Sequence, residues 1–315
     1  MKLAPECRLC LLKKVRSQAK PAISGEKELD SLIAECECIF DEDFAKRAGA
    51  ADAAGKIHRF CYARMGISDP YLEIKDRDNL RAADTLSAVS ENITSLHDAL
   101  TAAVIGNAMD YGITGHTVAD DLPAFFNEMF SRGLTLDDSG EFLPLASRVV
   151  YLTDNCGELI FDMRFIRELK KQGSRVTVVV KDGPMSNDVT LREAERVGLS
   201  EVADAVYSAG GGSLLGTHPD SFPDEVRKAV DDATLLIAKG LANYESLTEY
   251  QLQKPVAYLM MIKCDAVGRH VSEAYGRPVV KGDLIALLSA RSKDYSGITA
   301  ETPAETTAIF HSLRK

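Results

Sequence analysis

The sequence predicts an α/β fold: a mainly parallel sheet with flanking helices, in a Rossmann-like three-layer arrangement, together with an N-terminal helical domain. Residues 1–115 carry apolar residues at helical spacing and show no strand-like alternation. After Ser147, short apolar runs rich in β-branched residues alternate with helical segments, a pattern typical of a parallel sheet covered by helices. We therefore expect a helical domain over residues 1–135 and an α/β domain over residues 136–315.

The helical half is predicted from apolar spacing. A first helix is indicated by residues three and four apart, namely Leu29, Leu32, Ile33, Cys36, Ile39 and Phe40. A similar apolar face runs over Leu96–Met109, and another helix is expected around Phe125–Phe130. The following segment, GLTLDDSGEF at 133–142, is rich in Gly, Asp and Ser and predicts a connection between the two halves.

The second half is predicted to contain five strands and a possible sixth within Pro278–Leu288. The five are Val149–Thr153, Arg175–Val180, Ala205–Tyr207, Thr234–Ala238 and Val256–Ile262. Helices are expected between and after them, at Leu159–Lys171, from near Asn187, at Asp224–Val230 and at Thr302–Arg314.

Composition excludes several classes of partner. The 315 residues carry a formal net charge of −10 and a pI near 5.2, which argues against a nucleic-acid surface, because phosphate backbones select clustered Lys and Arg. The N-terminal MKLAPECRLCLLKKVR interrupts its apolar positions with charges, so neither a secretory signal nor a membrane partner is expected. A cytoplasmic location follows, and the oligomeric state is left open.

Seven cysteines are spread along the chain, and reduced thiols are expected because nothing in the sequence indicates secretion. Cys7 and Cys10 form a CxxC pair without a second pair at zinc-ribbon spacing. Packed thiols, a zinc site and a redox or interaction surface remain alternatives for this pair.

The segment VVYLTDNCGE at 149–158 carries the strongest chemical signal. An apolar strand-like run ends in Asp154, Asn155, Gly157 and Glu158, and ligands of α/β sheets bind just beyond the carboxyl ends of strands. Carboxylate and amide oxygens suit a hard cation such as Mg²⁺ or Mn²⁺, and the N-terminus of the next helix suits a phosphate. A solvated turn with a helix cap is the alternative.

Three more polar groups follow predicted strands: Asp188, the segment Lys239–Asn243 and Lys263. Asp188 is a candidate third oxygen ligand or a helix-cap acid, and Lys239-Gly240 is a candidate phosphate cradle or an ordinary turn. Lys263 is a candidate phosphate ligand or a solvated lysine. If the strands are parallel, all of these groups gather at the carboxyl edge of the sheet, which is called the rim below.

Other phosphate signatures are absent from the sequence. The segment AGGGS at 209–213 lacks the G-x-G-x-x-G register, and there is no Walker lysine motif. Cys156 stands where an aspartyl-nucleophile phosphatase of the haloacid-dehalogenase type has its second Asp, which argues against a covalent aspartyl-phosphate. No histidine has metal-ligand spacing such as H-E-x-x-H.

Together these motifs resemble the damage-control phosphatase family, also called domain of unknown function 89. The segments that carry the resemblance occur in order along most of the chain: Glu6–Leu12 (ECRLCLL), Gly106–Asp110 (GNAMD), Asp154–Glu158 (DNCGE), Ser186–Thr190 (SNDVT), Lys239–Glu245 (KGLANYE) and Lys263-Cys264. The Asp-Asn-x-Gly-Glu and Lys-Gly-x-x-Asn-Tyr elements are the specific ones. The CxxC pair is similar to the microbial branch of the family.

The resemblance implies a site and a chemistry. Asp154, Asn155 and Asp188 would hold a divalent metal, Mg²⁺, Mn²⁺, Co²⁺ or Ni²⁺. A set of substrate-binding residues would contact a small phosphorylated metabolite, namely Asn107, Lys239, Gly240, Leu241, Ala242, Asn243 and Lys263. Cys156 stands where many relatives have Ala, and a small residue tolerated in a tight turn is the expected interpretation.

We therefore expect metal-dependent hydrolysis of phosphate monoesters, such as sugar phosphates or damaged phosphometabolites, with water as the nucleophile. Asp154 or Glu158 would accept or position a proton, and Lys263 and Lys239 would neutralise charge. Two alternatives stay open: a group transferase that uses a nucleotide-like cofactor, and a metabolite- or metal-binding protein without turnover.

Overall fold

A seven-stranded sheet forms the centre of the molecule, and the structure, a computed structural model, describes residues 1–108 and 121–289. The strand order is β1-β7-β6-β5-β2-β3-β4. All neighbouring pairs are parallel except β6 and β7, which are antiparallel. The strands are β1 Leu136–Asp137, β2 Arg148–Leu152, β3 Arg175–Val180, β4 Ala205–Ser208, β5 Leu235–Lys239, β6 Val256–Met261 and β7 Leu284–Leu288.

Helices cover both faces of this sheet, so the predicted α/β fold is confirmed. They are α1 Cys7–Ala19, α2 Glu26–Ala45, α3 Ala50–Met65, α4 Leu72–Val89, α5 Leu96–Ala108, α6 Leu122–Arg132, α7 Ser139–Phe142, α8 Glu158–Lys171, α9 Leu191–Arg196, α10 Asp224–Asp232, α11 Gly240–Leu247 and α12 Asp265–Tyr275. Among these helices, none has the length and apolar character needed to cross a membrane.

The central strands are buried on both faces, and their side chains alternate between two cores. In β2, Val149 and Tyr151 point into one core, and Val150 and Leu152 point into the other. This alternation is the period-2 geometry of a strand, and near-continuous apolar runs are what a strand covered on both faces requires. The sheet is therefore the middle layer of three.

The N-terminal helices are divided between the two outer layers. Helices α1, α2 and α3 share a core with one face of the sheet. On the other face α4 and α5 pack with α8, and α6 packs with α4 and α5. Within the described residues, each of these helices shares a core with the sheet. Residue 135 therefore marks a change of secondary structure, while the division into a helical and an α/β domain stays a prediction.

Several element predictions need correction. The helix expected from near Asn187 begins at Leu191, because residues up to Thr190 pair with neighbouring loops and Thr190 forms a capping box with Glu193. The predicted connection at 133–142 contains the edge strand β1, which is too short to show alternation. The expected helix Thr302–Arg314 lies outside the described residues.

The order of the strands creates a switch point between β2 and β5. From β2 the chain continues outward through β3 and β4, whereas from β5 it continues through β6 to β7 on the other side. The loops after β2 and β5 leave in opposite directions, which opens a crevice at the carboxyl edge of the sheet. Asp154 follows β2 and Gly240 follows β5, so both predicted motifs border this crevice.

Candidate active site at the switch point

Backbone pairing brings the predicted metal ligands together. The loop after β2 pairs with the loop after β3: the Val189 N–H donates to Asp154 O (2.9 Å), and the Cys156 N–H donates to Asn187 O (2.8 Å). Asn155 and Asp188 form an antiparallel bridge between the same loops. Asp154, Asn155 and Asp188 therefore lie side by side, and all three are buried.

Asn107, at the end of α5, reaches the same rim from the helical layer. Its Nδ2 donates to Asp154 Oδ2 (3.2 Å) and to Glu158 Oε2 (2.7 Å), and its Oδ1 accepts from the Met261 N–H (3.1 Å). The Asn155 amide also donates to Asp154 Oδ2, at 2.7 Å. Two amides thus fix one oxygen of Asp154, Oδ2.

Lys263 lies at the edge of this cluster. It is half-buried after β6, and its ammonium partly offsets the rise in the pKa of Asp154 that burial and the Glu158 and Asp188 carboxylates cause. The predicted group of Asp154, Asp188, Asn107 and Lys263 is therefore assembled at one place by four separate segments of the chain.

Lys239 is placed differently from what its sequence position suggested. Its side chain is 0 % exposed, and its Nζ donates to Ala103 O (2.8 Å), Glu158 Oε1 (3.0 Å) and Asp162 Oδ1 (2.8 Å). With its ammonium surrounded by protein acceptors, the geometry does not favour direct contact with a phosphate. Lys239 instead forms ion pairs with Glu158 and Asp162, whose carboxylates lie beneath the rim.

In the rest of the Lys239–Asn243 segment, Gly240 contributes a left-handed backbone conformation and Asn243 contributes hydrogen bonds that join two strands. Gly240 has φ +73°, and a Cβ there would lie 1.8 Å from Asp154 Oδ2, so this position needs glycine. The Asn243 Nδ2 donates to Thr153 O (3.0 Å) and Lys239 O (2.7 Å), which joins the ends of β2 and β5. Leu241 and Ala242 are half-buried in the first turn of α11, and their contact with substrate stays a prediction.

The electrostatics of the rim show an excess of negative charge. Burial raises the pKa of Asp154 well above its usual range, and the Glu158 and Asp188 carboxylates raise it further. Burial also raises the pKa of Asp188 to about 6, although Lys181 pulls it down. Both carboxyl groups are therefore destabilised in the ionised form that a metal ion would require, and a bound cation would relieve that cost.

A divalent cation fits this donor set. Asp188 Oδ2 is buried without a hydrogen-bond partner, which is costly for a carboxylate oxygen unless a ligand fills that role. Two carboxylates and one amide are hard oxygen donors, as Mg²⁺ and Mn²⁺ prefer. No group of three or more His, Cys, Asp or Glu in the described residues is arranged as a metal cage, so water and substrate oxygens would complete the coordination.

Cys156 is not available as a thiolate. It is buried, and burial raises the pKa of its thiol well above the usual value, with the Glu193 carboxylate acting in the same direction. The interpretation of Cys156 as a small residue in a tight turn agrees with this environment.

Sequence reasoning missed three residues that support the rim. Asn79 on α4 accepts from the Gly157 N–H (2.6 Å) and so holds the start of α8. The buried Lys181 donates from Nζ to Gly216 O and Asn243 Oδ1, both at 2.8 Å. Lys75 is also fully buried and donates to Asp69 Oδ2 (3.0 Å). Only Lys181 offered a signal, because it directly follows a strand and precedes Asp188 in the sequence.

The CxxC pair lies near a third thiol. Cys7 and Cys10 lie in the first turn of helix α1, and Cys264 directly follows Lys263. Cys264 acts electrostatically on Cys7, and Cys10 acts on Cys264. All seven cysteines are free. Burial raises the pKa of Cys7 to about 11 and also raises that of Cys264, so both are thiols at neutral pH.

One cavity, of about 1220 Å³, is not at this site. It is lined by Val256, Tyr258 and Ser289, at the start of β6 and the end of β7, which is the opposite edge of the sheet. The chemistry-bearing residues instead line the crevice at the switch point, and burial, pairing and charge identify that crevice as the candidate active site.

Comparison with known proteins identifies the family to which the chain belongs. Residues 3–278 match the family described as "Damage-control phosphatase ARMT1-like domain". The chain belongs to this damage-control phosphatase family. The resemblance seen in the sequence motifs is therefore confirmed.

Two relatives and one solved structure show how far the likeness to damage-control phosphatases extends. A damage-control phosphatase of Archaeoglobus fulgidus is 36 % identical over 287 residues, 89 % of this chain and 99 % of the relative. One of Pyrococcus horikoshii is 26 % identical over 292 residues, 91 % of this chain and 98 % of the relative. The crystal structure of a P. horikoshii DUF89 family protein is also similar, with a TM-score of 0.81 and 26 % identity over 92 % of this chain and 100 % of that one.

The position of Lys239 leads to a stability prediction. Replacing Lys239 by Met should lower the free energy of unfolding by about 3–5 kcal/mol, because Glu158 and Asp162 would be left buried without their cation. Urea unfolding of the purified variant measures this change. The exposed Lys281→Met is the control and should leave stability unchanged. Equal unfolding midpoints for the two variants would contradict the assignment.

Proposed function

We propose that this protein is a metal-dependent phosphatase that hydrolyses phosphate monoesters of small metabolites, such as sugar phosphates or damaged phosphometabolites. The observation that carries the proposal is the meeting of Asp154, Asn155 and Asp188 with Lys263 at the switch point of the sheet. Phosphoryl transfer needs chiefly positioning and charge stabilisation, which this group of side chains can supply.

Asp154, Asn155 and Asp188 would hold Mg²⁺, Mn²⁺, Co²⁺ or Ni²⁺, which when bound supplies charge stabilisation and activates water. Asn107 and Asn155 hold Asp154 Oδ2 and so fix the orientation of this carboxylate. Lys263 would neutralise a phosphoryl oxygen, and the backbone N–H groups at the start of α11 are suited to further phosphoryl oxygens.

The nucleophile in this proposal is water, and Asp154 or Glu158 positions it or accepts its proton. Both oxygens of Glu158 are already engaged, Oε1 by Lys239 and Oε2 by Asn107 and Asn155. Glu158 is therefore held in one orientation, and the arrangement favours a role in orienting the amides that in turn hold Asp154.

A phosphate-release screen tests the proposed function. Purified protein is treated with a chelator, reloaded with each of the four cations, and assayed against a panel of phosphorylated metabolites. The proposal requires phosphate release that depends on the cation. Binding of the metabolites without release would favour the binding-protein alternative, and modification of an acceptor only in the presence of a nucleotide would favour the transferase.

The raised pKa of Asp188 leads to a pH-dependence prediction. An unfolded chain ionises Asp near pH 4, whereas the buried carboxyl ionises at about 6, so this group opposes folding increasingly as the pH rises between those values. A bound cation removes that penalty above the folded pKa and competes with the proton below it. The Mg²⁺-induced rise in Tm should therefore be larger at about pH 7.5 than at about pH 5.

Thermal unfolding with and without MgCl₂ at the two pH values measures this difference. Asp188→Asn should lose most of the cation-induced rise in Tm at both values, because the ionisable ligand is gone. An equal rise in the wild type at both pH values would count against Asp188 as a metal ligand.

The location and partners are part of the proposal. All seven thiols are free, which suits a reducing compartment, so we propose a cytoplasmic protein whose partner is a small phosphorylated metabolite rather than a nucleic acid or a membrane.

A further inference from the structure

We infer that Tyr151 and Asp162, inside the core, are positioning residues for the candidate metal site. They act through Lys239 and Glu158, which set the orientation of the Asn155 amide. The inference rests on the cation site of the proposed phosphatase, and it deepens that proposal by naming buried residues that control the affinity for the cation.

The Lys239 ammonium is fixed by three acceptors. Its Nζ donates to Ala103 O (2.8 Å), Glu158 Oε1 (3.0 Å) and Asp162 Oδ1 (2.8 Å). An ammonium has three hydrogens, so these bonds account for all of its donors. The side chains of Lys239, Glu158 and Asp162 are 0 %, 2 % and 0 % exposed, so water does not compete for the bonds. The ammonium therefore determines where Glu158 Oε1 lies.

Tyr151 and Asp162 join strand β2 to helix α8 beside this ammonium. The Tyr151 Oη donates to Asp162 Oδ1 at 2.7 Å, and the same oxygen accepts from Lys239. Asp162 follows Glu158 by four residues in α8, so the two carboxylates lie one turn apart on the same face of the helix. Tyr151 is on the strand that leads to Asp154. The Tyr151 hydroxyl thus fixes the oxygen to which Lys239 is bound.

This arrangement is costly as a purely structural element. Asp162 Oδ2 is buried, and among the described residues it has no hydrogen-bond partner. An unsatisfied buried carboxylate oxygen lowers stability, and a buried ion pair adds little to stability in comparison with apolar side chains of similar volume. A requirement to position Lys239 explains why the core carries this cost.

Two amides connect Glu158 to Asp154. The Asn107 Nδ2 donates to Glu158 Oε2 (2.7 Å) and Asp154 Oδ2 (3.2 Å), and the Asn155 Nδ2 donates to the same two oxygens at 3.2 Å and 2.7 Å. Each amide nitrogen therefore uses both of its hydrogens on this pair of carboxylates. A reversed Asn155 amide would lose both bonds and would turn N–H groups, which repel a cation, to the position of its oxygen. Glu158 thus selects the orientation of Asn155 that suits a metal ligand.

Calorimetric titration of the chelator-treated protein with MgCl₂ or MnCl₂ tests the inference independently of turnover. Tyr151→Phe removes one hydroxyl and no charge, so Asp162 Oδ1 can shift and Lys239 and Glu158 can follow it. Losing a group that orients metal ligands weakens metal binding, and we expect the Kd of each cation to rise about 10-fold. Burial raises the pKa of Asp162 to about 7, so the titrations are made at about pH 8, where this carboxyl is ionised.

Tyr244→Phe is the matched control. Tyr244 is also fully buried and its Oη pairs with His270 Nδ1 at 2.7 Å, but it lies in the core on the other face of the sheet. Each variant loses one buried hydrogen bond, so the two should lose similar amounts of Tm. Only Tyr151→Phe should bind the cations more weakly. If both variants bind them as the wild type does, or are weakened equally, Tyr151 has a structural role alone and the inference is overturned.

A double-mutant cycle tests whether Tyr151 acts through Asp162. Asp162→Ala should raise the Kd about 10- to 100-fold, because it removes an acceptor of Lys239 together with a negative charge. Once this acceptor is gone, adding Tyr151→Phe should change the Kd less than about twofold. Effects that multiply in the double variant would contradict the shared path. If Asp162→Ala does not fold, the comparison of Tyr151→Phe with Tyr244→Phe decides the question.

Phosphate release separates this inference from the proposed function. At limiting Mg²⁺, Tyr151→Phe should release phosphate more slowly than the wild type, and saturating Mg²⁺ should restore most of kcat, a rescue that a purely structural defect would not show. A wild type that binds the cations but releases no phosphate would refute the phosphatase, and the expected order of Kd values would still support the positioning role. A wild type that binds neither Mg²⁺ nor Mn²⁺ would refute the positioning role together with the cation site.

Discussion

Replacing Asp154 by Ala should reduce metal-dependent phosphate release on the order of 1000-fold or more. The Asp154 carboxylate accepts hydrogen bonds from Asn107 and Asn155 and interacts with the ammonium of Lys263. Its loss therefore removes a metal ligand and also the group that orients these neighbouring side chains. The measurement is kcat/KM on the best substrate of the screen, together with the Mg²⁺-induced rise in Tm, which should disappear.

Asp84→Ala is the matched control for this variant. Asp84 is an exposed acid on α4, remote from the rim, and its removal changes the net charge by the same amount. The control should keep full turnover. Near-normal metal-dependent turnover by Asp154→Ala would refute the assigned site, since no other carboxylate occupies its position between β2 and β5.

Replacing Gly240 by Ala should have the second largest effect. The added Cβ would lie 1.8 Å from Asp154 Oδ2 and 2.4 Å from its Cγ, so the carboxylate must move. A displacement of about 1 Å at a catalytic group typically lowers activity about 100-fold, and overpacking with backbone strain costs about 2–4 kcal/mol. Kinetic assays and urea unfolding measure the two effects.

Gly276→Ala separates the clash from the backbone strain. Gly276 also has a left-handed backbone, with φ +63°, but a Cβ there meets nothing within 4 Å. This control should lose stability modestly, by about 1–2 kcal/mol, and keep its activity. If Gly240→Ala were as active as Gly276→Ala, the close approach of Gly240 to Asp154 would have no functional role.

The sequence was sufficient to predict the five strands β2 to β6 and the edge of the sheet at which the polar residues that follow them gather. Buried parallel strands are continuous apolar runs, and the polar residues that follow them mark the carboxyl edge, so Asp154, Asp188 and Lys263 could be placed on one rim. The antiparallel partner β7 and the two-residue β1 could not be placed in the same way, since register and strand direction depend on contacts distant in sequence.

The role of Lys239 could not be predicted from its neighbours. A lysine before glycine at a strand end fits a phosphate cradle, but its ammonium is enclosed by α5 and α8, which supply Ala103 O, Glu158 and Asp162. The orientation of a long side chain depends on which helices cover the strand. That information lies in tertiary packing rather than in local spacing.

Residues of the helical layers were missed for the same reason. Asn79 and Lys75 sit in α4, an ordinary amphipathic helix, and nothing in their local pattern distinguishes them from solvated polar positions. Their relation to the rim exists only once α4 is packed on the sheet. Sequence periodicity identifies the face of a helix, but not the neighbour that this face meets.

The splitting of the N-terminal helices across both faces also bears on how the chain can be dissected. A fragment that begins at residue 136 would lose part of the cover on both sides of its sheet, because α1 to α3 shield one side and α4 to α6 the other. Such a fragment should aggregate on expression instead of folding autonomously. The α/β half therefore cannot be isolated as a smaller active protein, and any truncation has to leave helices α1 to α6 intact.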